Sequence, residues 1–402
     1  MKEKKEIVFV MKVMNGGGAE RVISLLTSAA VNRGSDVTLL ITHQKKSDSV
    51  LRDIDSGVNV ISLPDEVEKN NVSGFFRNIL MLFSRFLGKA GKLISEKLIS
   101  KSLVLKYFAY NFNNICWMKK YFRKHSDAVV IAFLYDSIFY SLLSVSRKNR
   151  LIISERGDPC QSLASKTTMA FLKNEFQHAD AFVFQSPDVK KWYEENTKVN
   201  GTVIFNPIKA GLPEAYTGER QKKIVNFCRI SSQKNLILLL DAFEIFYKIY
   251  PEYELYIYGD PVGNDSADYL DKVNNYLLTL ECKEKVFILP SKKDIHEEIV
   301  DYAMFVSSSD FEGMSNSMLE AMAIGLPCVC TDCPAGGARA VIKDGENGLL
   351  VPANDADALG NAMIKVASEQ GLSEKLSLNA MKIRETQSLE KIVDKWMEII
   401  NG

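Results

Sequence analysis

The sequence predicts an α/β protein built on two doubly wound parallel sheets, and three observations carry that prediction. Short runs rich in Val, Ile and Phe alternate with stretches whose apolar residues recur at helical spacing, which is the pattern of strand–helix–strand units. Several runs end in glycines, small polar residues or charges, the composition such sheets place at the carboxyl ends of their strands, where ligands bind. At 402 residues the chain favours two domains with a core each, and a Pro- and Gly-bearing stretch from Val203 to Gly218 supplies a junction. The boundaries read as 1–205, 206–387 and a final helix, 388–402.

Composition narrows the function classes. The chain is 46% apolar and 25% charged, ordinary for a soluble globular protein. Lys plus Arg equals Asp plus Glu, which argues against nucleic acid as a partner. Seven cysteines, an odd number without framework spacing, read as reduced thiols of a cytosolic chain. The opening MKEKKEIVFVMKVM has a charged start and an apolar run, but Lys12 interrupts the run and no small-residue cleavage site follows. It reads as a first strand and not as a signal peptide.

In chain order, Glu6 to Met14 is a buried strand. Asn15-Gly16-Gly17-Gly18 turns into a helix carrying Val22, Ile23, Leu25, Leu26, Ala29 and Ala30, Gly34 ends that helix, and Asp36 to Thr42 is the second strand. The triple glycine lets backbone amides approach a phosphate or sugar closely, although its spacing is not the GxGxxG dinucleotide fingerprint. The bland reading of the turn is tight strand-to-helix geometry alone.

A basic amphipathic insertion at about 73–125 follows. Phe75, Phe76, Ile79, Leu80, Leu82, Phe83, Phe86 and Leu87 recur at helical spacing, and many Lys and Arg stand against a single acid, Glu96. Its apolar runs are too interrupted to span a bilayer. Two readings stand, with the first favoured: the segment lies in the headgroup layer of an anionic leaflet, or it packs on the sheet with a solvated basic face.

Two more strands, Asp127–Leu134 and Arg150–Ser154, precede Glu155-Arg156-Gly157-Asp158-Pro159. Glu155 and Arg156, at a strand's carboxyl end, are candidates for a sugar or acceptor contact; the bland reading is a loop ion pair. His178, before the strand Ala181–Gln185, reads as a helix-end residue.

In the second half, strand Lys223–Cys228 leads to Arg229, Lys234 and the helix Leu236–Tyr250. Strands Glu254–Tyr258 and Val286–Leu289 follow. The stretch Val306–Pro352 carries the densest signal. A strand ends in a polar loop, Ser307–Asp310. Glu312 and Gly313 come next, and then a helix that Ser315 or Asn316 can cap, with Ser317 and Glu320 continuing the capping pattern. Met318, Leu319, Met322 and Ala323 form its buried side until Gly325 and Pro327 stop it, and strand Cys328–Thr331 follows. Exposed amides at Met314 to Ser317, with the positive end of the helix dipole, suit a phosphate. Glu312 in the loop and Glu320 about two turns on can hold two parts of one extended ligand. Without a ligand they are a loop charge and an ordinary helix residue.

The succession Glu-Gly, Asn, Leu-Glu-Ala-Met-Ala, Gly-Leu-Pro, Asp-Cys-Pro-x-Gly-Gly and Asp-Gly-x-Asn-Gly-Leu-Leu-Val-Pro resembles glycosyltransferase family 4. That family's members are retaining enzymes of the GT-B fold, with two facing Rossmann-like domains and the donor in the cleft between them. The resemblance implies that Glu312 contacts the transferring sugar and Glu320 the ribose hydroxyls. Gly313, Asn316, Ser317 and Met318 complete that donor block, and Gly17 and Gly18 fall on the diphosphate side. Arg229 and Lys234 resemble the family's diphosphate-binding pair, with Asn235 where the family has Gly, and Arg156 stands where it often has a His. The chemistry of the pair is independent of the name: breaking a sugar–phosphate bond loads charge on the departing diphosphate, which guanidinium and ammonium groups stabilise. Arg229, Lys234 and Glu312 are therefore the candidate catalytic residues.

No metal or other cofactor is expected. Cys328, Cys330 and Cys333 have no fourth ligand nearby, Asp53-Ile54-Asp55 sits in a polar turn, and Asp355-Ala356-Asp357 sits at a helix start where Asp caps. The implied reaction moves a hexose or N-acetylhexosamine from a nucleoside-diphosphate sugar, UDP favoured. The implied acceptor is a polyprenyl-diphosphate-linked saccharide of capsule, O-antigen or exopolysaccharide synthesis, at the inner face of the cell membrane. The alternatives are a same-fold epimerase or phosphorylase, or a non-catalytic partner.

Overall fold

The computed structural model describes residues 5–48, 50–51, 54–68, 82–83, 85–86, 102, 105, 107–162, 172–173, 175–262 and 266–402. The chain divides into two compact units. The first comprises residues 1–185, 189–204 and 393–402, and the second 186–188 and 205–392.

The first unit is built on β1 (Glu6–Met11), β2 (Asp36–Ile41), β3 (Asn59–Ser62), β4 (Val129–Phe133), β5 (Arg150–Glu155), β6 (Ala181–Phe184) and β7 (Thr202–Val203). They form one sheet in the order β3-β2-β1-β4-β5-β6-β7, and its neighbours pair in parallel. The central strands are almost wholly apolar because helices cover both faces of such a sheet. β1 stops three residues short of the expected Met14. One more backbone bond follows, the His43 amide donating to the Lys12 carbonyl at 3.0 Å, before the Met14 amide turns to a side chain, donating 2.6 Å to Gln44 Oε1.

The second unit carries β8 (Gln221–Phe227), β9 (Glu254–Tyr258), β10 (Val286–Leu289), β11 (Tyr302–Ser307), β12 (Cys328–Asp332) and β13 (Leu349–Pro352). Their order is β10-β9-β8-β11-β12-β13. Successive side chains serve opposite faces. Ile224, Met304, Val306 and Val329 pack with the helix Leu236–Tyr247. Val225, Phe305, Cys328 and Cys330 pack with the helix Asn316–Ala323. In both sheets the order reverses beside the first strand, between β1 and β4 and between β8 and β11. A doubly wound sheet opens its ligand crevice at such a point.

The basic insertion lies largely outside the described residues. Of its apolar series, Leu82, Phe83 and Phe86 are described and exposed. Its end is the helix Phe112–Lys124, which buries Ile115, Met118 and Phe122 in the first unit. The last helix, Leu389–Asn401, places Trp396 in the first unit, stacked on Phe133 with ring centroids 5.6 Å apart. No helix of the described residues is long and apolar enough to cross a membrane.

Candidate functional site

The reversal point of the second sheet gathers the candidate catalytic residues. β8 ends into Cys228 and the exposed Arg229, and a single 3-10 turn, Ser232–Lys234, follows. Asn235 then adopts a left-handed conformation, φ 43°, which glycine takes freely and asparagine tolerates better than most residues. This accounts for Asn at the position where the resemblance expected Gly. The Asn235 side chain also caps the next helix, accepting from the Leu238 amide at 3.2 Å, and donates to Asp310 Oδ1 at 2.6 Å.

β11 delivers the opposing loop. Gln233 Nε2 donates 2.7 Å to the Phe311 carbonyl, and Ser308 Oγ donates 2.9 Å to the Lys234 carbonyl. These bonds knit the two strand ends and bring Lys234 Nζ onto Glu312 Oε2 as an ion pair with side chains 12% and 21% exposed. Burial by itself would depress the Lys234 pKa. The Glu312 carboxylate, helped by Cys228, outweighs it and holds that pKa above the usual lysine value. Lys234 is thus a fixed cation with Arg229 close by in sequence.

The Glu312–Gly313 turn rests on a third loop. The Glu312 amide donates to the Pro334 carbonyl at 3.4 Å. A Cβ placed on Gly337 would lie 1.6 Å from the Gly313 oxygen and 2.8 Å from Met314 Cα, so backbone lies directly on backbone. The helix Asn316–Ala323 then starts under a cap in which Ser315 Oγ accepts from the Met318 amide at 3.3 Å. Asn316 Oδ1 accepts from Asn206 Nδ2 at 2.8 Å. Ser317 is half-buried in the first turn, and Gly313 and Met318 are buried. Glu312 also lines a small cavity with Ser307, Ser309, Ser315, Met318 and Thr331.

Glu320 is an interior group, its side chain 4% exposed and 2.8 Å from His296 Nε2. His296 is itself buried and meets the Phe227 ring edge-on at 5.7 Å. The sequence reading missed His296, Asn206 and the contact made by Gly337. His296 lies in a short acidic helix, and no local spacing points to a carboxylate 24 residues on.

In the first unit the glycine turn lies at the carboxyl end of β1. Gly16 has φ 80°, Gly17 is the N-cap of the helix Gly18–Asn32, and Gly18 opens it. Glu155 and Arg156 occupy the interior, 1% and 7% exposed. Glu155 accepts from the Arg156 and Gly157 amides and from the Tyr193 hydroxyl at 3.1 Å. Arg156 donates to Ser154 Oγ at 2.9 Å and to the Ile204 carbonyl at 3.0 Å, and lies over Phe133 and Trp396. Interior partners thus surround the two residues read as candidate sugar or acceptor contacts.

Among the described residues no three His, Cys, Asp or Glu are grouped as a metal would need. Burial pushes the Cys328 and Cys330 thiols far up. Asp355 caps the helix Ala356–Ser368, accepting from the Ala358 amide at 2.8 Å.

Residues 212–383 match the family model described as glycosyl transferases group 1, and this segment is a glycosyltransferase domain. The amylovoran biosynthesis glycosyltransferase AmsD of Erwinia amylovora is 24% identical over 99% of both chains. The poly(glycerol-phosphate) alpha-glucosyltransferase of Bacillus subtilis is 29% identical, over 44% of this chain and 26% of its own length. The chain thus spans about a quarter of that relative. Among solved structures, S. aureus TarM in complex with fondaparinux, alpha-GlcNAc-glycerol and UDP superposes with a TM-score of 0.75 at 14% identity, covering 99% of this chain and all of that one. Anabaena HepE in complex with UDP-glucose gives 0.73 at 15% identity over 98% and 99% of the chains. At these identities the structures establish the fold, which is GT-B.

Proposed function

We propose that this chain is a retaining glycosyltransferase of family 4. It takes a hexose or N-acetylhexosamine from a nucleoside-diphosphate sugar and adds it to a lipid-linked saccharide of surface-polysaccharide synthesis. One observation carries the reading: Lys234 and Glu312 are joined at the reversal point of the second sheet, with Arg229 exposed at the same strand end, all inside the segment matched by the family model.

In this reading the second unit binds the donor and the first the acceptor. As the bond from the anomeric carbon to the diphosphate oxygen lengthens, negative charge builds on the departing diphosphate. Lys234 and Arg229 stabilise that charge, and the amides at the start of the helix Asn316–Ala323 add to it. Glu312, held by Lys234, meets the transferring sugar, and Glu320, held by His296, meets the ribose. UDP is favoured because TarM and HepE were solved with UDP and UDP-glucose. Lipid-linked acceptors are favoured because a relative from Campylobacter jejuni, 22% identical over 98% of both chains, is named for transfer to an undecaprenol-diphosphate-linked saccharide. The exposed Leu82, Phe83 and Phe86 support a peripheral seat on the inner membrane face.

The test incubates the full chain with labelled UDP-sugars and a lipid-diphosphate-linked N-acetylglucosamine, and reads the anomeric configuration of the product by NMR. Transfer with retention is expected. Inverted product, or donor conversion that needs no acceptor, would end this reading.

A further inference from the structure

We propose that Lys12, Asp136 and His43 form a saccharide subsite on the first unit that takes the acceptor's terminal sugar; this rests on the transferase reading above. Lys12 follows β1 and Asp136 follows β4, so the two lie on either side of the reversal point of the first sheet. They are 124 residues apart in the chain, and their ion pair closes at 2.8 Å across the point where a doubly wound sheet opens a crevice. Both remain reachable, with side chains 43% and 35% exposed. His43, at the end of β2, is exposed beside them.

His43 is held from beneath by buried neighbours. Tyr140, fully buried, holds His43 Nε2 through its hydroxyl at 2.9 Å and also donates to Asn111 Oδ1. Thr42 Oγ1 lies 2.8 Å from the other ring nitrogen. Asn114 Nδ2 donates to the Thr42 carbonyl at 3.2 Å, and the Tyr107 ring packs edge-on against Tyr140. The backbone enters the crevice strained, since Leu134, immediately after β4, has φ 65°. An exposed ring fixed by buried partners, next to an ion pair that closes the reversal point, is the arrangement a preorganised site requires.

The chemistry selects a polyol. Lys12 and Asp136 cancel in charge, so the pair has no net attraction for phosphate. Vicinal hydroxyls both donate and accept, and they match an ammonium that only donates beside a carboxylate that only accepts. Burial, and then the nearby Lys12 cation, lower the His43 pKa, with Asp136 opposing. Both ring nitrogens are engaged by Tyr140 and Thr42, so the exposed ring offers the sugar an apolar surface, and the hydroxyl bonding falls to Lys12 and Asp136.

The experiment uses the full chain with a UDP-sugar, a short-chain polyprenyl-diphosphate N-acetylglucosamine as probe acceptor, and the same lipid diphosphate without sugar as inhibitor. Asp136→Asn and Lys12→Gln are each expected to raise the acceptor KM about tenfold or more, the scale of a lost charged hydrogen bond. Donor KM and inhibition by the sugar-free lipid are expected to stay as in the wild type. An unchanged acceptor KM in both variants overturns the proposal, and so does a parallel loss of inhibition by the sugar-free lipid, since the pair would then be reading diphosphate. Saturation-transfer NMR on the N-acetyl protons of the probe acceptor needs no turnover. Signal lost in Asp136→Asn supports the subsite even if the wild type transfers nothing, an outcome that sinks only the transferase reading. Equal signal in both chains overturns the subsite.

Discussion

The two units solve one topological problem with different degrees of enclosure. Each sheet reverses its order beside its first strand, and each bridges that reversal with a lysine and a carboxylate: Lys12 with Asp136 in the first unit, Lys234 with Glu312 in the second. The second pair is enclosed, with exposures of 12% and 21%, and the first is open, at 43% and 35%. Attraction between opposite charges strengthens as water is removed. An enclosed pair therefore keeps its geometry and its charge, which suits stabilising a leaving group. An open pair exchanges partners readily, which suits hydroxyl groups that come and go. On the roles proposed above, the depth at which each unit's charges sit is what fits its pair to one chemistry or the other.

The sharpest way to break that comparison is to remove the cations of the second unit, the enclosed Lys234 or the exposed Arg229 beside it. Lys234→Ala or Arg229→Ala should lower turnover by about a hundredfold to a thousandfold, the scale of losing one preorganised charge contact. Steady-state rates at saturating donor and acceptor read this, and a loss below about tenfold would contradict the role given to the second unit.

Next in size is Gly337→Ala. Its new methyl would meet the Gly313 carbonyl at 1.6 Å, and backbone cannot swing aside as a flexible side chain can. Moving the Glu312 turn should cost turnover about tenfold to a hundredfold, in line with the effect of small misplacements at reacting groups. Normal kcat in a folded variant would remove this loop from the account.

A smaller effect is expected at His296. His296→Ala removes one buried partner of Glu320 and should raise the donor KM by about fivefold to tenfold with kcat little changed. His296→Gln, which can still donate, should recover part of the loss. A fall in kcat with no change in KM would point to a general packing defect.

The smallest expected effect concerns stability in the first unit. Burial raises the Glu155 pKa above its ordinary 4.5, against the opposing bonds from Gly157, Tyr193 and Arg156. Folding therefore favours the protonated acid. That stabilisation is complete below the ordinary value and is lost as pH rises through the raised one. Urea melts of wild type and Glu155→Gln, compared from pH about 4 to about 8, should show the variant gaining relative stability as pH rises. A constant difference across that range would contradict it.

The sequence was informative wherever structure is local. Strands β1, β2, β4 and β5 announce themselves as Val-, Ile- and Leu-rich runs because both faces of each are covered, and β8, β9 and β12 as shorter apolar runs before polar turns. The cap at Ser315 and the strand ends at Arg229 and Glu312 follow from residue type and spacing. β3 and β13 were not read as strands: Asn59–Ser62 is short and half polar, and Leu349–Pro352 ends in proline. Pairings such as Lys12 with Asp136 and His296 with Glu320 join distant segments, and only the strand order makes them neighbours. The interior placement of Glu155 and Arg156 was equally invisible, since a charged pair at a strand end looks alike whether it faces solvent or a tryptophan.

The return of residues 393–402 to the first unit bears on how the protein can be dissected. A cut after Ile204 does not release a self-sufficient amino-terminal fragment, because Phe133 and Arg156 would lose the indole that covers them. Neither half can be obtained with a single cleavage. Grafting the terminal decapeptide behind residue 204 through a flexible tether is the rearrangement that would keep that indole within one continuous polypeptide.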